Sequence, residues 1–209
     1  MIVHNAFRRW FTMLLSAGVV AGTASAAAPL DELVGIKLGM TQEEVLTAIA
    51  QRQGIPRSRL DIHNPQGLRG IQENTVTIST PLKAGPLYPK LSYSDELRFY
   101  ERGAEVIVFF HVVYPIDTVR PVVAHRVVYH MADVRENYGP MERTAIEKWG
   151  RPSYRDGAVV RWCSPPDGED LCGSPYASLL RSDVSVHDPR IVRNAEAAEK
   201  EARRMQPRF

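Results

Sequence analysis

The sequence predicts an α+β fold of two helix-plus-antiparallel-sheet halves, closed by a C-terminal helix. Three observations predict it: a helix start at Thr41 followed by strand-like segments, a second helix followed by a second set, and an alanine-striped charged tail after Asp188. The limits read as a leader over 1–26, a first half over 27–133, a second half over 134–187 and a terminal helix over 188–209.

The leader carries Arg8 and Arg9, an apolar run from Trp10 to Val20, and Ala24-Ser25-Ala26, the layout of a cleaved secretory signal with Ala24 and Ala26 at the cleavage site. The run is shorter than the about 20 apolar residues that cross a bilayer, and no second run follows. The expectation is a soluble mature protein, periplasmic or secreted. No cysteine stands at the cleavage site, so no stable membrane anchor is expected. The Arg8-Arg9 pair leaves both the general secretory and the twin-arginine routes open. The chain has 26 basic and 24 acidic residues, and cleavage removes Arg8 and Arg9 but no acid, which balances the charge. Nucleic-acid binding needs a clustered basic surface, so it is not expected.

Cys163 and Cys172 lie in the exported part, where an oxidising compartment favours pairing them. Closing a loop of about ten residues stabilises by roughly 2.7 kcal/mol in the chain-entropy model. The spacing is not C-x-x-C, so the pair reads as a staple rather than a redox centre.

Within the first half, Thr41 is placed to cap a helix and Glu44 to complete a capping box, with Met40 and Val45 as a staple. Val45, Leu46, Ile49 and Ala50 form one apolar face, and Gly54 with Pro56 ends the helix. Strand-like segments follow at Thr75–Ser79, Glu96–Tyr100, Glu105–Tyr114 and Val122–Met131. Between them, 55–70 and 80–92 are rich in proline and glycine and read as loops, which serve either as surface connections or as binding segments. Arg57, Arg59, Arg69 and Tyr88 are the candidate partner-binding residues there.

The second half repeats the grammar. Pro140 is placed at a first helical position, Met141, Ala145 and Trp149 recur every four residues, and Gly150-Arg151-Pro152 closes the helix. The parallel leaves a tandem repeat open. Strands are expected at Ala158–Trp162, Tyr176–Leu180 and Asp183–His187, with Trp149 and Trp162 together in the core. The terminal helix starts at Asp188-Pro189, with Ile191, Ala195, Ala198, Ala202 and Met205 on one stripe, for docking, projection into solvent or partner contact.

Catalytic motifs are missing. His111, His125 and His130 fall on two adjacent strands, but His125 and His130 are five positions apart, which puts them on opposite faces unless a bulge intervenes. No metal is therefore expected. Neither a G-x-S-x-G elbow nor a phosphate-cradling loop is present, and no cofactor is expected.

Gly39-Met40-Thr41, with Val45 and Gly54-Ile55-Pro56, resembles the small outer-membrane assembly lipoproteins of the SmpA/OmlA (BamE-like) type, whose fold group includes the tandem-repeat β-lactamase inhibitor proteins. Lys148-Trp149-Gly150-Arg151-Pro152-Ser153 is similar to a Lys-Tyr-Gly-x-Pro-Ser stretch of exported bacterial proteins. The resemblance implies helix-plus-sheet units that grip other proteins. It does not carry over the lipid anchor, since Ala26-Ala27-Ala28-Pro29 has no cysteine, nor barrel assembly or β-lactamase inhibition. The functional expectation is a non-enzymatic exported module that binds another envelope protein through its sheet face or its two long loops. The alternatives are an exported hydrolase built from His111, His125 and nearby acids, and a carrier with an apolar cavity.

Overall fold

The computed structural model describes residues 29–60, 71–78, 91–101, 103–115, 117, 119–132, 134–164 and 172–205. The leader with Ala24 and Ala26, together with Arg69 and Tyr88, lies outside the described residues. In chain order the elements are β1 (Glu32–Leu33), β2 (Ile36–Lys37), α1 (Gln42–Gln53), a 3-10 turn (Arg57–Arg59), β3 (Ile71–Ile78), β4 (Leu91–Glu101), β5 (Ala104–Val112) and β6 (Val122–Met131). The second half follows with α2 (Val134–Trp149), β7 (Tyr154–Asp156), β8 (Val159–Ser164), β9 (Gly173–Leu180), β10 (Asp183–His187) and α3 (Pro189–Met205).

Helix α1 forms as its residues dictate. The Thr41 side chain accepts the Glu44 N–H, Glu44 accepts the Thr41 N–H at 2.8 Å, and Gly54 takes the left-handed conformation (φ 66°) that ends the last turn. Only glycine adopts that conformation without a Cβ penalty. Val45, Leu46, Ile49 and Ala50 are buried as the apolar face predicts, and each large one contributes about 1.5–3 kcal/mol.

Helix α2 departs from expectation. It starts at Val134, so Pro140 lies inside it rather than at its head. Proline has no N–H, so one rung of the helix ladder is missing, and the preceding residues still wind helically without it. Met141, Ala145 and Trp149 are buried along one stripe as expected. Lys148 turns aside, and its Nζ donates to the Glu32 carbonyl at 3.1 Å, which ties α2 to β1. Burial holds that ammonium below its usual pKa.

Each of these helices leads into a four-strand antiparallel meander. The two meanders fuse where β6 pairs with β10, giving one eight-stranded sheet in the order β3-β4-β5-β6-β10-β9-β8-β7. A separate small sheet for each half is thus replaced by a single continuous layer. Several strand limits also move: β3 starts at Ile71, β4 takes in Leu91 and Ser92 from the expected loop, β5 ends before Tyr114, and β7 and the β1–β2 hairpin are additional.

Alternation along β5 is complete: Ala104, Val106, Val108, Phe110 and Val112 are buried and the intervening residues half-buried. The buried side joins Leu97, Val127, Val186, Leu179, Val160 and Trp162 in one core with α1 and α2. Trp149 and Trp162 meet at 5.4 Å between ring centroids, and the Trp162 indole N–H donates to the Gly150 carbonyl at 2.7 Å. The two halves therefore share one core.

Helix α3 lies against β5, β6 and β9. It occupies the other face, where Glu199 acts on the Tyr114 hydroxyl and Arg193 on outward-facing His187. Ala195 is 1% exposed, whereas Met205, expected on the same stripe, is 71% exposed at the end of the helix. Cys163 and Cys172 are joined in a disulfide as expected.

Candidate functional site

A ladder of rings and guanidinium groups crosses the outer sheet face from β7 to β5. On β8, Arg161 stands directly opposite Tyr154 of β7 and holds its guanidinium 5.8 Å from the Tyr154 ring centre and 5.7 Å from that of Tyr176 on β9. Tyr176 is paired with His187 of β10, with ring centroids 5.4 Å apart and the hydroxyl 3.0 Å from Nδ1. His187 meets His125 of β6 at 5.6 Å, and His125 meets His111 of β5 at 5.9 Å. Edge-to-face ring pairs at such separations contribute about 0.5–1.5 kcal/mol beyond area burial.

A bulge puts His125 on this face. Phe109 pairs with Arg126 and Phe110 with Ala124, so His125 is the extra residue. Residues 39 and 40 stabilise the irregularity, because the Gly39 N–H donates to the Ala124 carbonyl at 2.8 Å and the Ala124 N–H to the Met40 carbonyl at 2.7 Å. His111 lies between buried Phe110 and Val112, and His187 follows buried Val186, so both project outward. Contact with both places His125 outward as well. The expected opposition of His125 and His130 therefore fails: both are on the outer face, although they do not meet. His130 Nδ1 instead lies 2.6 Å from Asp183 Oδ1.

The electrostatics divide the ladder in two. Burial first, then the neighbouring His187, His111 and Arg126, push the His125 imidazole down to about 4, with Asp188 opposing. Burial, aided by Arg126 and Arg193 and again opposed by Asp188, pushes His187 down to about 4. Both rings are neutral at ordinary pH. His125 Nδ1 is buried without a hydrogen-bond partner among the described residues. At the other end Tyr154 is 42% exposed and Leu180, on the same face, 44% exposed.

Ser182 lies near the His130–Asp183 pair, 3.5 Å from the same Nδ1 and 3.3 Å from the same Oδ1. A nucleophile–base relay needs serine and carboxylate on opposite ring nitrogens, and here they share one. Among the described residues no three His, Cys, Asp or Glu side chains converge so as to hold a metal ion. The three histidines run in a line rather than around a point.

Of the loop candidates, Arg57 is held in a two-toothed pair with Glu43, at 3.0 and 2.9 Å, and Arg59 is exposed at the end of the 3-10 turn. The ladder residues Tyr154, Arg161, Tyr176 and His187 were not among the sequence-derived candidates. Strand alternation alone faces them outward, but only the pairing of β6 with β10 brings them into line with His125. No helix among the described residues is long and apolar enough to cross a membrane. No family model, curated protein or solved structure matches the chain.

Proposed function

We propose that this chain is a soluble, exported, non-enzymatic binding module that grips another protein of the bacterial envelope through the β7–β9 end of its outer sheet face. The observation that carries the reading is Arg161 held between Tyr154 and Tyr176 beside exposed Leu180. Tyrosine and arginine dominate the energetics of protein interfaces because they bring large contact area with a polar tip, and stacking fixes the guanidinium before a partner arrives. A rigid sheet supplies the preorganisation. The leader, with Ala24 and Ala26 at its end, supports export, and the Cys163–Cys172 bridge suits an oxidising compartment. The resemblance of Gly39–Val45 to BamE-like and inhibitor units adds that helix-led meanders of this kind serve as grips.

The test places a photo-crosslinking amino acid at Leu180 in exporting cells. One discrete protein adduct, lost in Arg161→Glu, is expected; no adduct, or adducts indifferent to Arg161→Glu, overturns the reading. Sequencing of the mature N-terminus is expected to begin at Ala27.

A further inference from the structure

The histidine end of the ladder lies where α3 is attached. The Asp188 N–H donates to the His125 carbonyl at 2.8 Å, and its carboxylate accepts the Arg190 N–H at 3.1 Å and pairs with the Arg190 guanidinium. The first residue before α3 is thus bonded to the bulge residue itself. Beyond it the helix rests on Ile191, Val192, Ala195, Ala198 and Ala202, of which Ala195 alone is fully buried. Alanine methyls remove little area from water, so the apolar part of the docking rests mainly on Ile191 and Val192 at the His125 end.

We propose that α3 is an acid-released strap: protonation of His125 and His187 drives it off the sheet and uncovers the remainder of the gripping face. The purpose of the strap rests on the binding role proposed above; its release is a property of this chain alone. Two imidazolium rings 5.6 Å apart would stand in a half-buried setting. Around them β5 brings His111, β6 brings Arg126, β9 brings the Tyr176 hydroxyl and α3 brings Arg193, and Asp188 is the carboxylate that acts against the repulsion. Like charges crowded away from water repel strongly, and lifting the helix readmits water to both rings.

The sign follows from linkage. In the strapped state both histidines resist protonation down to about pH 4, and in the released state, with water readmitted, they move back towards the ordinary 6.5. Release is therefore favoured as pH falls from about 6.5 towards 4, by at most about tenfold per pH unit for each histidine.

Hydrogen exchange on the oxidised mature chain tests this at about pH 7 and about pH 4.5, with rates corrected for their intrinsic pH dependence. The expected result is a loss of at least about tenfold in protection over 193–205 at the lower pH, which leaves α3 well below the β5 and β10 amides, whose protection falls only as far as global stability does. The variant carrying His125→Phe and His187→Gln is expected to keep α3 protected at both. The proposal is overturned if α3 and β5 are left equally protected at the lower pH, if α3 loses no protection in the wild type, or if the double variant still releases it. Asp188→Asn gives an independent check, because removing the opposing carboxylate moves release to higher pH, and an unmoved midpoint overturns the proposal. No Leu180 adduct in otherwise wild-type protein, with release intact, would sink the binding role and leave the strap standing.

Discussion

His125 and His187 meet edge to face across the β6–β10 seam, the strand pairing that joins the two meanders, with 5.6 Å between ring centroids. The seam is therefore sensitive to acid. Both imidazoles are depressed by burial to about 4, below the 6.5 they take in an unfolded chain. A depressed histidine is favourable to folding where both states are neutral, so its contribution is complete above about pH 6.5 and declines as pH falls towards 4. Urea unfolding at about pH 7 and about pH 5 is expected to show a clear loss of stability at the lower value. His125→Phe keeps an aromatic ring on the seam without a titrating nitrogen, and is expected to reduce that loss. Equal losses in the two proteins would remove His125 as the cause.

Thr41 governs the start of α1, where its side chain and Glu44 satisfy one another's backbone N–H. Thr41→Ala is expected to cost about 1 kcal/mol in urea unfolding. The same bond, with Arg120 beside it, holds the Glu44 carboxyl below its ordinary value of 4.5. That contribution is present above the unfolded value and disappears as pH falls through the lower folded one, opposite in cause to the histidines though the same in direction. Glu44→Gln should weaken α1 at neutral pH and make no difference in strong acid. The Arg120–Glu44 ion pair is nearly half exposed on both sides and contributes little by itself.

Much of this architecture is written in local chemistry. The Thr41–Glu44 box, Gly54, the Met141–Ala145–Trp149 stripe, the Cys163–Cys172 staple and the strand over Val122–Met131 are all visible in short stretches, because each depends on neighbours within a turn or a hairpin. What escaped depends on long-range partners. Pro140 reads as a helix start because proline is cheapest there, yet the helix accepts a lost rung to keep Met141 and Ala145 on the core. His125 reads as opposed to His130 because the bulge is set by residues 39 and 40, which are distant in sequence. The ladder itself needs the β6–β10 pairing, which no periodicity reveals. Its members are ordinary outward strand residues until the register is known.

Trp162 is the central side chain of the second half, 2% exposed, against Trp149 and hydrogen-bonded to Gly150. Trp162→Phe keeps most of the apolar contact but leaves the Gly150 carbonyl without its donor. A loss of about 1–3 kcal/mol is expected, against about 3–5 kcal/mol for Trp162→Ala. Chemical denaturation followed by far-UV circular dichroism separates the two. Equal costs would mean that the hydrogen bond, rather than ring volume, carries the site.

The disulfide also bears on the ladder. Cys163 is directly opposite Tyr176, the ring that clasps Arg161 on one side and bonds His187 on the other, so the bridge anchors β8 beside the ladder. Replacing both cysteines by serine is expected to lower stability by about 2–3 kcal/mol, chiefly by freeing the unfolded chain. The β8–β9 pairing on the far side of Trp162 remains supported by the core, so the fold should survive while the Tyr176 ring becomes more mobile. Tyrosine ring NMR would register this as faster flipping at Tyr176 with Tyr93 unchanged. Loosening at both tyrosines would instead assign the bridge a global role and no special hold on the gripping face.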